Sequence, residues 1–229
     1  MADGGTITQR ITDLIGSEHT TTAAYSGDLI NAAINEIADM LSDNLLLKYS
    51  PAPLSYTSGS GQSVTNKKVL QVTREDADSS GIERVCREVD RDGWSKGRDT
   101  NSIYLATNFS PICHVDVDGV AGNLLIFPLC NASGQTGNVW YFPYIADGTD
   151  TTAMTAALLE SSYYLPSQLI HAVALKASMN ILLAYISEQV QEEEDIEIMQ
   201  MIQNQLQLLE KSFITEMQRY TSKDDSGGE

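Results

Sequence analysis

Cys113 and His114 are adjacent, and a thiol beside an imidazole can ligate a soft metal or form a nucleophile pair. They lie in ICHVDV (Ile112 to Val117), whose β-branched composition and alternation predict a strand. Neighbours on a strand point to opposite faces, so no shared metal is expected. Asp116, Asp118 and Gly119 look like a fragment of a calcium loop. An EF-hand would need a glutamate at the twelfth position, where Phe127 stands, so a tight turn is expected instead. Ser58, Ser60 and Ser63 occupy a Gly/Ser stretch with no histidine close in sequence, and only His19, His114 and His171 could serve as a base. No GxxxxGK[ST], GxGxxG or GxSxG occurs. The expectation is a protein that is not an enzyme and has no cofactor, no metal site and no catalytic residue. Cys86, Cys113 and Cys130, odd in number and spread through a β region, are expected to be buried thiols in a reducing compartment.

The elements that hold these residues fall into three stretches. Ile7, Ile11, Leu14 and Ile15 recur at helical spacing, and Ile30, Ile34, Ile37 and Leu41 form a second face, with Ser26 as its expected N-cap and the helix ending before Pro51. Pro51, Pro53 and TSGSGQS (Thr57 to Ser63) predict a flexible connection. From there VLQVT, IERVCREV, ICHVDV, LLIFP and VWYFPYI predict short strands, with a hairpin at Asp118-Gly119. After Gly148 the helical period returns. Pro166 is placed to open a helix carrying Ile170, Ala174, Ala177, Ile181 and Tyr185. A later face, Met199, Ile202, Leu206, Leu209, Phe213, Met217 and Tyr220, is nearly a heptad seam and requires a partner helix. At ~1.5 Å per residue, Ile196 to Tyr220 spans roughly 37 Å.

The predicted fold is α+β: a helical hairpin or bundle, residues 1–56 and 149–220, with an inserted small antiparallel β-barrel or sandwich, 57–148, and a flexible tail, 221–229. No apolar run reaches the ~20 residues of a membrane span, and MADGGTITQR lacks the apolar segment of a signal peptide, so a soluble chain made in the cytoplasm is expected. The net charge of -17 argues against a sequence-independent DNA binder, because phosphates are gripped by Lys and Arg. The charge is polarised: from Ser187 onward eleven acids face three bases, four of the acids consecutive at Glu192, Glu193, Glu194 and Asp195.

The order helix, inserted β module, helical hairpin resembles the head-to-tail adaptor (head-completion or connector) proteins of tailed bacteriophages, including those called tail tubular protein A. LPSQLIHAVALKAS (Leu165 to Ser178), followed by QEEED (Gln191 to Asp195), carries the resemblance. CRE (Cys86 to Glu88), SIYLAT (Ser102 to Thr107) and SPICHV (Ser110 to Val115) are similar to strand segments of phage virion proteins. The resemblance implies a virion protein of the neck, a dodecameric ring below the portal that extends the DNA channel and docks tail or nozzle proteins. Neighbouring copies would meet through a heterologous contact, and DNA would pass without specific binding. In that setting Glu192, Glu193, Glu194, Asp195 and Glu197 become candidates for the channel lining, where acids repel phosphates over roughly 8 to 10 Å. Tyr163, Tyr164, Tyr220, Thr221, Ser222 and Lys223 become candidates for the portal contact. Two other readings of the same sequence are another neck or tail-completion protein, and a receptor- or carbohydrate-binding β module on a helical oligomerisation stalk.

Overall fold

Helix α1, Ile7–Ile15, begins where the Thr6 hydroxyl accepts a hydrogen bond from the Gln9 amide at 3.3 Å, and it buries Ile7, Ile11 and Ile15 along one side. The computed structural model describes residues 5–17, 23–56, 62–77, 81–116, 122–130, 134–189 and 196–224. The chain divides into a helical unit, Met1–Tyr49 with Ile145–Glu229, and a β unit, Ser50–Tyr144. The fold is α+β.

In the helical unit α2, Ala23–Met40, buries Ile30, Ile34 and Ile37. Ser26 lies within this helix, which corrects its expected role as N-cap. The helix stops short of Pro51, because Ser42 caps a separate short helix, α3, Asp43–Leu47, through the Leu45 amide. Two further helices close the unit. A 3-10 turn, Ser167–Leu169, follows Pro166 and leads into α6, Ile170–Gln189, and α7 is Ile196–Asp224. Helix α6 packs against α1, α2 and α7. It buries the expected Ile170, Ala174, Ala177 and Ile181, and also Ala172, Val173, Leu175 and Leu182. A helix with three neighbours needs apolar residues nearly all round. That is why Ser167–Ser187 is long and apolar enough, by length and composition, to cross a membrane, which corrects the expectation that no segment is. The α7 seam is internal, with Ile202, Leu209, Phe213 and Met217 buried and α6 as its partner.

Polar residues on α2 fasten the chain where it re-enters this unit. Asn35 donates to the Ile145 carbonyl at 3.0 Å and accepts from the Ile145 amide at 2.9 Å. One turn away the fully buried Asn31 donates to the Thr149 carbonyl at 2.9 Å and accepts from the Thr151 hydroxyl at 2.8 Å. Asp28 accepts from the Gly148 amide at 2.6 Å. Residues 145–148 therefore belong to the helical unit, correcting the expected boundary at 149. The connecting segment then leads to α5, Ala156–Tyr163, capped by Thr155.

The β unit holds two four-stranded sheets. The first is ordered β1 (Leu54–Tyr56), β8 (Gly137–Pro143), β3 (Lys67–Glu75), β4 (Glu83–Val85). The second is ordered β2 (Gln62–Ser63), β7 (Asn123–Phe127), β6 (Ile112–Asp116), β5 (Arg87–Glu88). Tyr56, Val72 and Val139 from the first sheet share one core with Cys113, Leu124 and Ile126 from the second, which makes the unit a small sandwich. Tyr56 faces Gly137 across the β1/β8 pair, and a Cβ at Gly137 would overlap its phenol ring and the Thr73 carbonyl. That opening lets the Tyr56 hydroxyl donate to the Thr73 carbonyl at 2.8 Å.

Several local expectations are corrected here. Leu54–Tyr56, assigned to the helical part, and Gln62–Ser63, assigned to a flexible connection, are strands. IERVCREV is two strands in different sheets, because the chain crosses between sheets at the buried Cys86. Strand β5 pairs with β6 in parallel, an exception to the antiparallel expectation. A helix, α4, Arg91–Arg98, sits within the module where only strands were expected, and Asp90 caps it through the Gly93 amide at 2.8 Å. The Asp118-Gly119 loop lies outside the described residues, although β6 and β7 flank it as an antiparallel pair.

Candidate interaction surfaces

Arg74 lies on β3 with no solvent exposure (0%). One guanidinium nitrogen donates to the Asn108 carboxamide oxygen at 2.6 Å and another to that of Gln135 at 2.5 Å. A buried cation requires such acceptors, and these two orient carbonyl dipoles towards it. Asn108 belongs to a tight turn closed by the Ser110 amide to the Thr107 carbonyl at 3.0 Å and by the reverse bond at 3.3 Å. Next to it Phe109 is 72% exposed, with the Arg84 guanidinium 5.7 Å from its ring centre. Arg84 is itself held by Asp76 at 3.1 Å. The same loop exposes Ile103, at 91%, with Tyr104 and Leu105, and the Ala106 amide ties it to the Gly97 carbonyl of α4. Ile82 and Val85, at and beside edge strand β4, are exposed as well. A projecting apolar surface thus rests on a buried, hydrogen-bonded base.

The outer side of the second sheet is filled from within the unit. Trp94 of α4 stacks on His114 at 6.1 Å and meets Phe127 edge-on at 6.4 Å. Arg98 lies over both the Trp94 and Phe127 rings. His114 Nδ1 is 2.9 Å from the Val89 carbonyl, which can only accept, so Nδ1 carries the proton. Cys113 points the other way, into the core, as strand alternation predicts. All three cysteines are free and buried. Burial pushes the Cys86 and Cys113 thiols up to about 12, so neither is a ready nucleophile. Among the described residues no group of three His, Cys, Asp or Glu side chains could hold a metal ion.

On the helical unit, the side of α7 away from the seam forms the second surface. Met201, 60% exposed, and Leu208, 66% exposed, stand seven residues apart and therefore in one row. Gln200, Gln203, Asn204 and Gln207 around them are exposed and uncharged. Gln205 is turned aside, donating to the Leu14 carbonyl at the end of α1 at 2.9 Å.

The sequence-predicted site residues are scattered by comparison. Glu192, Glu193, Glu194 and Asp195 lie outside the described residues, and Glu197 is on the first turn of α7 with its side chain outside the description. Tyr163 ends α5, half-buried, with its phenol pKa raised first by burial and then by Asp150. Tyr164 follows in the left-handed conformation that caps α5, at φ 57° and ψ 29°. Tyr220 is half-buried on α7, and its phenol is likewise raised by burial. Thr221, Ser222 and Lys223 continue that helix to Asp224, so the expected flexible tail starting at 221 is corrected. His171 is exposed on α6, Ser63 is on β2, and Ser58, Ser60 and His19 lie outside the described residues.

Phe109, Met201 and Leu208 were not singled out by sequence, and Ile103 entered only within SIYLAT, likened to a strand segment and found in a loop. Their signals were an apolar IYL run bounded by Asn101 and Thr107, and a second apolar period on α7 overshadowed by the seam. No family model, curated protein or solved structure matches the chain.

Proposed function

We propose that this chain is a structural virion protein, a head-to-tail adaptor of a tailed phage. In this reading it forms a homo-oligomeric ring, a dodecamer, below the portal protein, docks tail or nozzle proteins and leaves the DNA unbound as it passes. The observation that carries the reading is the pair of unlike apolar surfaces, one on each unit: a projecting loop around Phe109 and a helix row at Met201 and Leu208. Head-to-tail rings need two different patches on each subunit, whereas a two-fold dimer needs one. The charge is compatible with this role. The helical unit carries -15 (21 acids, six bases) and the β unit -2 (ten acids, eight bases), so neither unit has the net positive charge of a protein that grips phosphates. The reading as a carbohydrate-binding module draws less support, since Arg98 already covers the Trp94 and Phe127 rings.

Electron microscopy of portal rings from the same virus, with and without the protein, tests the proposal. The expected result is an added ring of density at one end of the portal. Unchanged portals beside free particles would overturn it.

A further inference from the structure

We infer that Arg74 is a latch: its buried charge ties the Thr107–Ser110 turn to the Gln135–Thr136 segment, so that the two open together and the turn that carries Phe109 is fixed only while both are shut. The inference concerns the β unit alone and stands apart from the adaptor reading, since it does not depend on what meets Phe109.

The strand places the charge where it is hard to satisfy. Arg74 follows Val72 by two residues on β3, so its side chain leaves the strand on the same inner face, towards the shared core. It has no solvent exposure, and its Nε is buried without a hydrogen-bond partner. Neighbouring carboxylates are engaged elsewhere: Glu75 by the Thr136 and Gly81 amides, Asp76 by Arg84, and Glu83 by the Thr73 hydroxyl and the Asn138 carboxamide. The stabilisation of a buried cation therefore falls to two neutral carboxamide oxygens, those of Asn108 and Gln135. A buried charge that loses part of its pairing costs more than the lost hydrogen bond, because it must then draw in water.

The two acceptors come from separate parts of the chain. The turn is anchored at both ends, by the Ala106 amide on the Gly97 carbonyl at 2.9 Å and by the Arg87 amide on the Pro111 carbonyl at 2.9 Å. Between these anchors, Asn108 is the side chain that fastens the turn to β3. Gln135 immediately precedes Thr136, whose carbonyl accepts from the Glu75 amide at 2.8 Å and whose own amide donates to the Glu75 carboxylate at 2.7 Å. Lifting the turn takes one acceptor from the guanidinium, and the water that replaces it also loosens the other. Openings that share one buried partner are cooperative. The Thr107/Ser110 backbone bonds and the Arg84 guanidinium over the Phe109 ring hold the turn locally and give no link to residue 136.

Hydrogen exchange of single amides in the full-length protein, read by NMR at neutral pH, tests the latch. Asn108→Ala removes one acceptor at a partly exposed position. It is expected to speed exchange about tenfold at Ser110, in its own turn, and also at Glu75 and Thr136. Val64, bonded to the Gly122 carbonyl elsewhere in the unit, is expected to stay unchanged. Asn108→Asp, which offers the cation a carboxylate, is expected to slow exchange at the same three amides. In an Arg74→Met background, Asn108→Ala should no longer reach Glu75 or Thr136. Should Arg74→Met fail to fold, the opposite signs of the two Asn108 variants carry the decision. Four results would each overturn the latch: no change at Glu75 and Thr136 in Asn108→Ala, a rise shared equally by Val64, Asn108→Asp behaving like Asn108→Ala, or an effect on Thr136 that survives without Arg74.

Discussion

Glu75 ends β3 with one carboxylate oxygen accepting from the Thr136 amide at 2.7 Å and the other from the Gly81 amide at 3.2 Å. These backbone donors, Thr136 foremost, hold its pKa below the ordinary 4.5, against smaller opposing effects of desolvation and of Asp76. A carboxyl whose pKa is lower folded than unfolded binds protons more readily when unfolded. Its stabilising share is therefore fully present above the unfolded value and is lost as pH falls through the folded value. The β unit should accordingly lose stability as pH drops below about 4.5. Glu75→Gln, which cannot titrate, should give a flatter dependence. Urea midpoints measured at several pH values for both proteins check this, and equal slopes below pH 4.5 would remove Glu75 as the cause. For Cys86 and Cys113, by contrast, burial is the leading cause of the raised pKa, and the strand alternation around Cys113 and His114 was enough to place them on opposite faces.

Asn31 and Asn35, one turn apart on α2, hold a segment more than a hundred residues away in sequence. Asn31→Ala removes the donor to the partly buried Ala146 and Thr149 carbonyls and the acceptor of the buried Thr151 hydroxyl, so it should cost roughly 1–3 kcal/mol in the helical unit. Amide exchange should speed up over 145–151 before it does elsewhere in that unit; unchanged exchange there would show that the α2 contacts do not hold the segment. Such long-range fastening marks the limit of what was legible in sequence. The α7 seam and the α6 face could be read because large apolar residues recur at helical period, which is a local property. Helix α4 could not: RDGWSKGR has two glycines and no apolar stripe, and it is held by its Asp90 cap and by packing on β6. IERVCREV looked continuous because composition does not reveal that Cys86 turns the chain from one sheet to the other. The interaction surfaces were hidden for the same reason. Arg74, in an alternating strand, has the look of a solvent-facing cation, and only acceptors 34 and 61 residues away allow it to be buried. Phe109 reads as an ordinary core aromatic until the turn around Asn108 is seen to push it outward.

At the scale of the whole molecule, the charge distribution governs how copies meet. Each chain carries -17, of which -15 lies on the helical unit. A contact made by apolar side chains gains little from direct ion pairing, while the net negative charge opposes approach at long range. The Debye length falls from about 30 Å at 0.01 M salt to about 10 Å at 0.1 M, so added salt screens the repulsion and leaves the apolar contact intact. Self-association should therefore strengthen as ionic strength rises from 0.01 to 0.3 M, by roughly tenfold if the relieved repulsion is near 1.4 kcal/mol. A contact built on charge pairs between the basic residues of the β unit and the acids of the helical unit predicts the opposite slope. Sedimentation across a salt series separates the two: association that weakens with salt would place the contact on the charged faces and not on apolar ones. With a strengthening trend, the -17 charge keeps free copies apart in dilute buffer and lets them join once screening or a template brings their apolar surfaces together.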